Sequence, residues 1–251
     1  MDLKLKGKII IVTGGSKGIG YGICERLILE GAIPVIIGRN KETIPKALKE
    51  LEKLGGKAGV AYAELTDPDQ CKLAVDKIIQ DYGTIDGLVN NAGIANTKLL
   101  HEETYSNLSK IFNTNLLGSM NVSNAIIPNM IKNKSGKIIN IASTLGYRPL
   151  SYVGAYSATK AALIQVTKSQ SIELARFNIC VNALAPGYIL TDINKEQLEG
   201  DAGVLLKKKI PLKRFATAEE LDVIISMLLN RHNTYMTGAV IAVDGGLSAG
   251  L

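Results

Sequence analysis

Apolar residues along this chain gather into short runs, and the stretches between the runs follow a different rhythm. The runs fall at 9–12, 35–37, 60–63, 85–90, 137–142, 179–184 and 239–243. Each is of strand length and almost continuously aliphatic, the pattern of a strand covered on both faces. Helix-like stretches lie between them, near 18–30, 41–54, 68–81, 103–132, 152–177 and 217–230. Strands that alternate with helices imply parallel pairing through helical crossovers.

The pattern predicts an α/β protein. It is a single-domain, doubly wound, Rossmann-like fold, with a seven-stranded parallel sheet and helices on both faces. No linker or repeat divides residues 1–251. Residues 188–215 stand apart: they mix Gly200 and Gly203 with acids, bases and the run Lys207-Lys208-Lys209, without a strong period. Between the sixth strand and the last helix, such a segment suits a lid over a ligand crevice. A surface insertion of short amphipathic helices is the alternative.

Composition narrows the picture. Of 251 residues, 46% are hydrophobic, yet tryptophan is absent and only three are phenylalanine, so the core must be aliphatic. Cys24, Cys71 and Cys180 are odd in number and far apart. They read as reduced packing residues of a cytoplasmic protein rather than metal ligands. His101 and His232 are isolated, so neither a zinc site nor a histidine triad is expected. The net charge of +6 suits an anionic cofactor or an acidic partner, although most lysines read as solvated. No basic arm or aromatic platform points to nucleic acid. The start, Met1-Asp2-Leu3-Lys4, is too polar for a signal peptide, and no segment approaches the roughly 20 apolar residues of a membrane span.

Chemistry concentrates at two places. The first strand runs into Thr13-Gly14-Gly15-Ser16-Lys17-Gly18-Ile19-Gly20 and then a helix. Glycines allow a tight turn and close approach to a phosphate, and a helix N-terminus offers free amides. The spacing is Gly-x-x-x-Gly-x-Gly, which leaves a dinucleotide and other ligands open. At the end of the second strand, Ile36-Ile37-Gly38-Arg39-Asn40 lacks the acid that would bond a ribose 2′-hydroxyl. Arg39 there, and Lys17 in the turn, favour a 2′-phosphate and hence NADP(H), with NAD(H) as the alternative. Arg39 as a solvated residue before the next helix is the competing view.

The second place is Tyr156-Ser157-Ala158-Thr159-Lys160. Residues four apart share a helix face. A phenol, with an unperturbed pKa of about 10, is made a better acid near neutrality by a fixed cation. Ser143 follows the fifth strand, where it either meets a substrate oxygen or caps a turn. Asn115 lies inside a helix, where it either serves the site or bonds its own backbone.

Together these residues resemble the short-chain dehydrogenase/reductase family over essentially the whole chain. The likeness rests on Thr13-Gly14-x-x-x-Gly18-x-Gly20, Asn90-Asn91-Ala92-Gly93, Asn113-Thr114-Asn115-Leu116, Ser143, Tyr156-x-x-x-Lys160, Pro186-Gly187 and Asp244-Gly245-Gly246. The resemblance implies Asn115, Ser143, Tyr156 and Lys160 as catalytic residues. Tyr156 would be the acid/base, Lys160 would lower its pKa and bond the nicotinamide ribose, and Asn115 would hold a water leading to Lys160. The cofactor would rest on Gly14, Ser16, Lys17, Gly18, Ile19, Gly20, Arg39, Leu65, Asn91, Ala92, Gly93, Tyr156, Lys160, Pro186, Gly187, Ile189 and Thr191. Asn91 would otherwise brace the sheet. Glu64 stands where the family often has aspartate, and it would either reach the adenine or face water. Ser143, Leu145, Tyr156 and Tyr188 would meet the substrate.

Much of the chain resembles the 3-oxoacyl carrier-protein reductase branch, through Ser135-Gly136-Lys137-Ile138-Ile139-Asn140-Ile141 and Asn178-Ile179-Cys180-Val181-Asn182-Ala183. That implies an acyl substrate on an acidic carrier protein met by Arg176 and by Lys132 or Lys134. Sugar, polyol and steroid dehydrogenation is the alternative. A nucleotide-binding sensor or scaffold is a third class, and Tyr156 argues against it. The family also implies a homotetramer, with the helices near 103–132 and 152–177 pairing across dimers and the C-terminal strand region packing the tetramer.

Overall fold

The computed structural model describes residues 3–191 and 194–249. Its strands are β1 (Ile9–Thr13), β2 (Ile33–Gly38), β3 (Gly59–Tyr62), β4 (Gly87–Asn90), β5 (Gly136–Ile141), β6 (Ile179–Pro186) and β7 (Val240–Val243). They form a seven-stranded sheet in the order β3-β2-β1-β4-β5-β6-β7, parallel throughout. Each apolar run coincides with a strand to within two residues at either end.

The helices are α1 (Gly18–Leu29), α2 (Thr43–Glu52), α3 (Pro68–Tyr82), α4 (Tyr105–Phe112), α5 (Gly118–Asn133), α6 (Gly154–Leu174), α7 (Lys195–Glu199), α8 (Asp201–Lys209) and α9 (Glu219–Leu229). Alternate strand residues face opposite ways, so each strand feeds two cores. Ile10, Val12 and Ile36 pack with Ile23 and Leu27 of α1 and with Leu221 and Ile225 of α9. Ile9, Ile11, Val35 and Ile37 pack oppositely, against Val75 and Ile78 of α3 and Val122 and Ile126 of α5. Burying one such side chain stabilises by about 1.5–3 kcal/mol. This two-sided demand explains why the runs are continuous rather than alternating.

From β1 the chain builds β2 and β3 on one side, then crosses to β4 on the other. The connections leaving β1 and β4 therefore diverge at their carboxyl ends, which opens a crevice there.

The single helix predicted over 103–132 is a correction. It is two helices joined by a π turn at Asn113–Leu117. Asn115 lies in that turn, fully buried, and bonds both backbone groups of Ile94: Oδ1 accepts from the Ile94 N–H at 2.8 Å and Nδ2 donates to its carbonyl at 2.8 Å. The widened turn carries this inward-facing amide, and π turns commonly mark functional positions.

Residues 188–215 fold as the short helices α7 and α8, with 192–193 outside the described residues. Leu198, Ile210 and Phe215 form a small cluster under them, apart from both main cores, with Tyr188, Leu190 and Leu206 packed against it. All three cysteines are free and buried. Among the described residues no helix is long and apolar enough to cross a membrane, and no group of His, Cys, Asp and Glu is placed to hold a metal.

Candidate active site

A cleft of about 840 Å³ runs along the carboxyl ends of the strands, from Arg39 past Gly14 and Asn91 to Ser143 and Tyr156. Of the predicted site residues, all but Gly20, Asn115 and Leu145 line it.

At one end, Ser143 leaves β5 in extended conformation and is buried. Its Oγ accepts from the Leu145 N–H at 3.1 Å, which caps a short turn and leaves the hydroxyl proton free to donate. Capping and service to the site are thus compatible. Tyr156 and Lys160 are one turn apart on α6, with Nζ 5.5 Å from the ring centroid. Lys160 is only 4% exposed, and its ammonium donates to the Ile141 carbonyl at 2.6 Å.

Burial pushes the Lys160 pKa down to about 8. Burial also pushes the Tyr156 phenol up, opposed by its hydrogen bond with Ser143. The expected lowering of Tyr156 by Lys160 is therefore not what governs the phenol here. The ammonium sits over the ring and is tied to β5, while desolvation of the phenolate dominates.

Asn115 supports this corner from behind. Besides clamping Ile94, its Nδ2 donates to Thr159 Oγ1 at 3.1 Å, and that hydroxyl donates to the Tyr156 carbonyl at 2.7 Å. A Cβ placed on Gly93 would lie 3.4 Å from Asn115 Oδ1 and 3.7 Å from Lys160 Nζ. The missing side chain keeps a hollow beside both.

The middle of the cleft is the glycine turn. Gly14 and Gly18 have φ of +66° and +55°, the left-handed region that favours glycine. A Cβ on Gly20 would meet the Gly14 carbonyl oxygen at 2.5 Å, so the third glycine permits the turn to fold against its own helix. Lys17 opens α1 in extended conformation without a side-chain cap, and no acid lies in the first turn. The first amides of α1 thus form an unblocked anion site, strengthened by the helix dipole. Asn91 braces the turn: Nδ2 donates to the Thr13 and Gly14 carbonyls, at 3.1 and 3.4 Å. Asn90 is interior, donating to Ser123 Oγ and to Asn140 Oδ1 on the next strand.

At the other end lie Lys17, exposed, and Arg39, whose side chain is 72% exposed. Arg39 is ion-paired with Glu64 through Nη1 and Oε2. Burial would raise the Glu64 carboxyl, but the bonds from Arg39 and the Thr66 amide hold it below the usual range. The Leu65 carbonyl accepts from Asn121 Nδ2 at 2.9 Å.

The opposite wall comes from β6. A Cβ on Gly187 would lie 2.8 Å from Asp244 Cα, so the Pro186-Gly187 and Asp244-Gly245-Gly246 motifs are two sides of one close approach. Beyond it, the Thr191 N–H donates to Asn194 Oδ1 at 2.9 Å. Tyr188 stacks at a tilt on Phe215, 5.9 Å between centroids, and burial raises its phenol.

Comparison with known proteins agrees with this geometry. The family model described as short chain dehydrogenase matches residues 8–202. This chain belongs to the short-chain dehydrogenase family. It is an NAD(P)-dependent oxidoreductase acting on CH–OH and keto groups. It is 39% identical over 245 residues to a 3-oxoacyl-(acyl-carrier-protein) reductase of Thermotoga maritima, covering 98% of this chain and 99% of the relative. Among solved structures, L-sorbose reductase from Gluconobacter frateurii, complexed with NADPH and L-sorbose, superposes with TM-score 0.93 at 30% identity, with 100% of both chains covered. Gluconate 5-dehydrogenase from Burkholderia cenocepacia, in complex with NADP and tartrate, gives 0.95 at 31%, with 100% and 98% covered.

A dinucleotide fits the residues present. The uncapped helix start offers free amides suited to phosphates, the Gly93 hollow leaves room beside Lys160, and the cations Lys17 and Arg39 line the same cleft. Lys110, Thr66 and Asn194 also line the cleft of this short-chain dehydrogenase. They stand outside the quoted motifs, and nothing in their local pattern marks them. Asn113 and Thr114 line it too, and their place beside Asn115 in one motif was the available signal.

Proposed function

We propose that the chain is an NADP(H)-dependent oxidoreductase that moves a hydride between the nicotinamide cofactor and a hydrophobic carbonyl or alcohol. A 3-oxoacyl thioester, presented on an acyl carrier protein, is the leading substrate class. The observation that carries the reaction is the corner where Tyr156 lines one end of the cleft together with the buried Ser143 and Lys160. When bound, the nicotinamide supplies or accepts the hydride. As charge builds on the carbonyl oxygen, the Tyr156 phenol gives it a proton and the Ser143 hydroxyl donates a hydrogen bond. Lys160, protonated, steadies the phenolate that remains. Asn115 holds the Ile94 loop and Thr159 in place, and a water at Asn115 would connect Lys160 to solvent.

Lys17 and Arg39 support NADP(H) over NAD(H). Tyr147, Leu150 and Tyr152 are exposed in the segment that follows Ser143, and Tyr188 lines the cleft; apolar residues in this part of the chain suit an acyl substrate. The Thermotoga relative supports the same class. A second reading, a sugar or polyol substrate, has its own support in the likeness to L-sorbose reductase and gluconate 5-dehydrogenase.

Three subsidiary proposals belong to this reading. Residues 188–215, with their separate cluster, act as the lid, and Thr191 contacts the carboxamide. The chain assembles as a homotetramer through α4 to α6, where Tyr105 and Ile172 are 85% and 79% exposed; light scattering tests this. The free, buried cysteines suit a reducing, cytoplasmic setting.

The deciding experiment is the initial rate of NADPH oxidation with an acetoacetyl thioester, alongside NADH and alongside L-sorbose and 5-ketogluconate as acceptors. Fast oxidation of NADPH with the thioester supports the acyl reading. Turnover of the sugar acceptors alone replaces it with the second.

A further inference from the structure

The adenosine end of the cleft holds an arrangement that hydride transfer does not use. Arg39 is the first residue past β2, and Glu64 lies two residues past β3. Their ion pair is the only hydrogen bond made by the Arg39 side chain among the described residues. Glu64 is the better anchored of the two. Its side chain is 31% exposed, its Oε1 accepts from the Thr66 N–H, and its own N–H donates to Gln70 Oε1 at 3.0 Å. Gln70 in turn donates to Asp67 Oδ2 at 2.8 Å. The carboxylate is therefore a fixed acceptor and the arginine is the mobile partner.

A carboxylate and a phosphate are both oxyanions that bond the same guanidinium donors. Glu64 takes one of those donors and also sets a negative charge beside the place a 2′-phosphate would occupy. A ribose 2′-hydroxyl, being neutral and a donor, meets no such opposition and has an acceptor at hand.

We propose that Glu64 is a cofactor-specificity residue: by holding the Arg39 guanidinium it weakens the cleft's preference for a 2′-phosphate over a 2′-hydroxyl. The effect is to keep both NADPH and NADH usable. This rests on the reading that Arg39 faces the 2′-phosphate, and a direct binding test separates the two claims.

Calorimetric affinities for 2′,5′-ADP and 5′-AMP, probes that differ only in the 2′-phosphate, are measured for four proteins: wild type, Glu64→Gln, Arg39→Ala and the double variant. Glutamine keeps the size and the acceptor to Thr66 but removes the charge. Glu64→Gln should tighten 2′,5′-ADP about tenfold and leave 5′-AMP within about twofold. In the Arg39→Ala background the same change should shrink to below about threefold, because the cycle isolates the coupling between the two residues.

Weaker binding of 2′,5′-ADP to Glu64→Gln would overturn the proposal, since Glu64 would then be orienting Arg39 for the phosphate. An equal gain with and without Arg39 would also overturn it, by showing that the carboxylate acts through its own charge alone. If wild type and Arg39→Ala bind 2′,5′-ADP no better than 5′-AMP, the underlying NADP(H) reading falls first, and the proposal with it.

Discussion

Lys160 and Arg39 are cations on one cleft, yet Lys160 is 4% exposed and tied to a strand carbonyl, whereas the Arg39 side chain is 72% exposed and held by one ion pair. Around Lys160 every functional group is fixed by something rigid. Ser143 caps a turn, Asn115 spans a π turn and the Ile94 backbone, and Tyr156 rides the first turn of α6. Around Arg39 the groups are long side chains at loop ends. A site fixed by backbone tolerates little variation in geometry, and one held by exposed side chains is changed by single substitutions. The first arrangement suits a reaction common to a family, and the second suits a choice between cofactors.

The largest effect should come from breaking the rigid end. Tyr156→Phe removes the phenol hydroxyl and little else, so kcat should fall about a thousandfold. Affinity for the dinucleotide, read by fluorescence quenching or calorimetry, should stay within about twofold, because phosphates and adenosine are held elsewhere. Undiminished turnover would remove Tyr156 from the mechanism.

Lys160 offers a sharper test, since the rigid end is held at a cost. Its pKa is depressed from the ordinary 10.5 to about 8 by burial. Below pH 8 both folded and unfolded chains carry the proton, and the folded chain bears the full penalty, about 3 kcal/mol. Between pH 8 and about 10.5 the unfolded chain holds a proton that the folded chain has shed, so stability rises with pH. Lys160→Met should therefore raise the melting temperature at pH 7, after allowing about 1 kcal/mol for the lost bond to Ile141. The gain should vanish above about pH 10.5, and activity should be lost throughout. A variant less stable than wild type at pH 7 would show that the lysine is a structural support.

The contrast also explains what could be read from the chain. Strand positions were legible because both faces of each strand are buried, which writes continuous aliphatic runs such as Ile9 to Val12. The glycine turn and the Tyr156–Lys160 pair were legible because close approach and helical spacing leave few residue choices. The π turn at Asn115 was not, because the partner its side chain bonds is Ile94, 21 residues away. Nor was the pairing of Arg39 with Glu64, 25 residues apart. Asp222 is a further case: a carboxylate buried against α1, pushed up to about 7 by burial and by Glu219, inside a helix whose pattern reads as ordinary. Sequence spacing reports contacts within an element, and these depend on contacts between elements.

At the exposed end the effects should be smaller and confined to one cofactor. Arg39→Ala should raise KM for NADPH about ten- to thirtyfold, the range for losing a charge-assisted bond, with kcat unchanged. KM for NADH should move by less than about threefold, since NADH brings no 2′-phosphate to Arg39. Equal losses for both cofactors would mean that Arg39 supports the loop rather than reading the phosphate.

Lys17 should give the smallest change, and its salt dependence makes it informative. The side chain is exposed in the glycine turn, and among the described residues it forms no ion pair. Its contribution to a 2′-phosphate is that of a solvated charge, up to about 1 kcal/mol, so Lys17→Ala should raise KM for NADPH by no more than about fivefold. Screening shortens the reach of such a charge to about 8 Å at physiological ionic strength and about 3 Å at 1 M. The difference between wild type and Lys17→Ala should thus fade as salt rises, whereas the Lys160→Met stability gain, arising in a buried site, should persist. If the Lys17 effect survives high salt, the lysine makes a close, ordered contact, and the adenosine end is more rigid than its exposure implies.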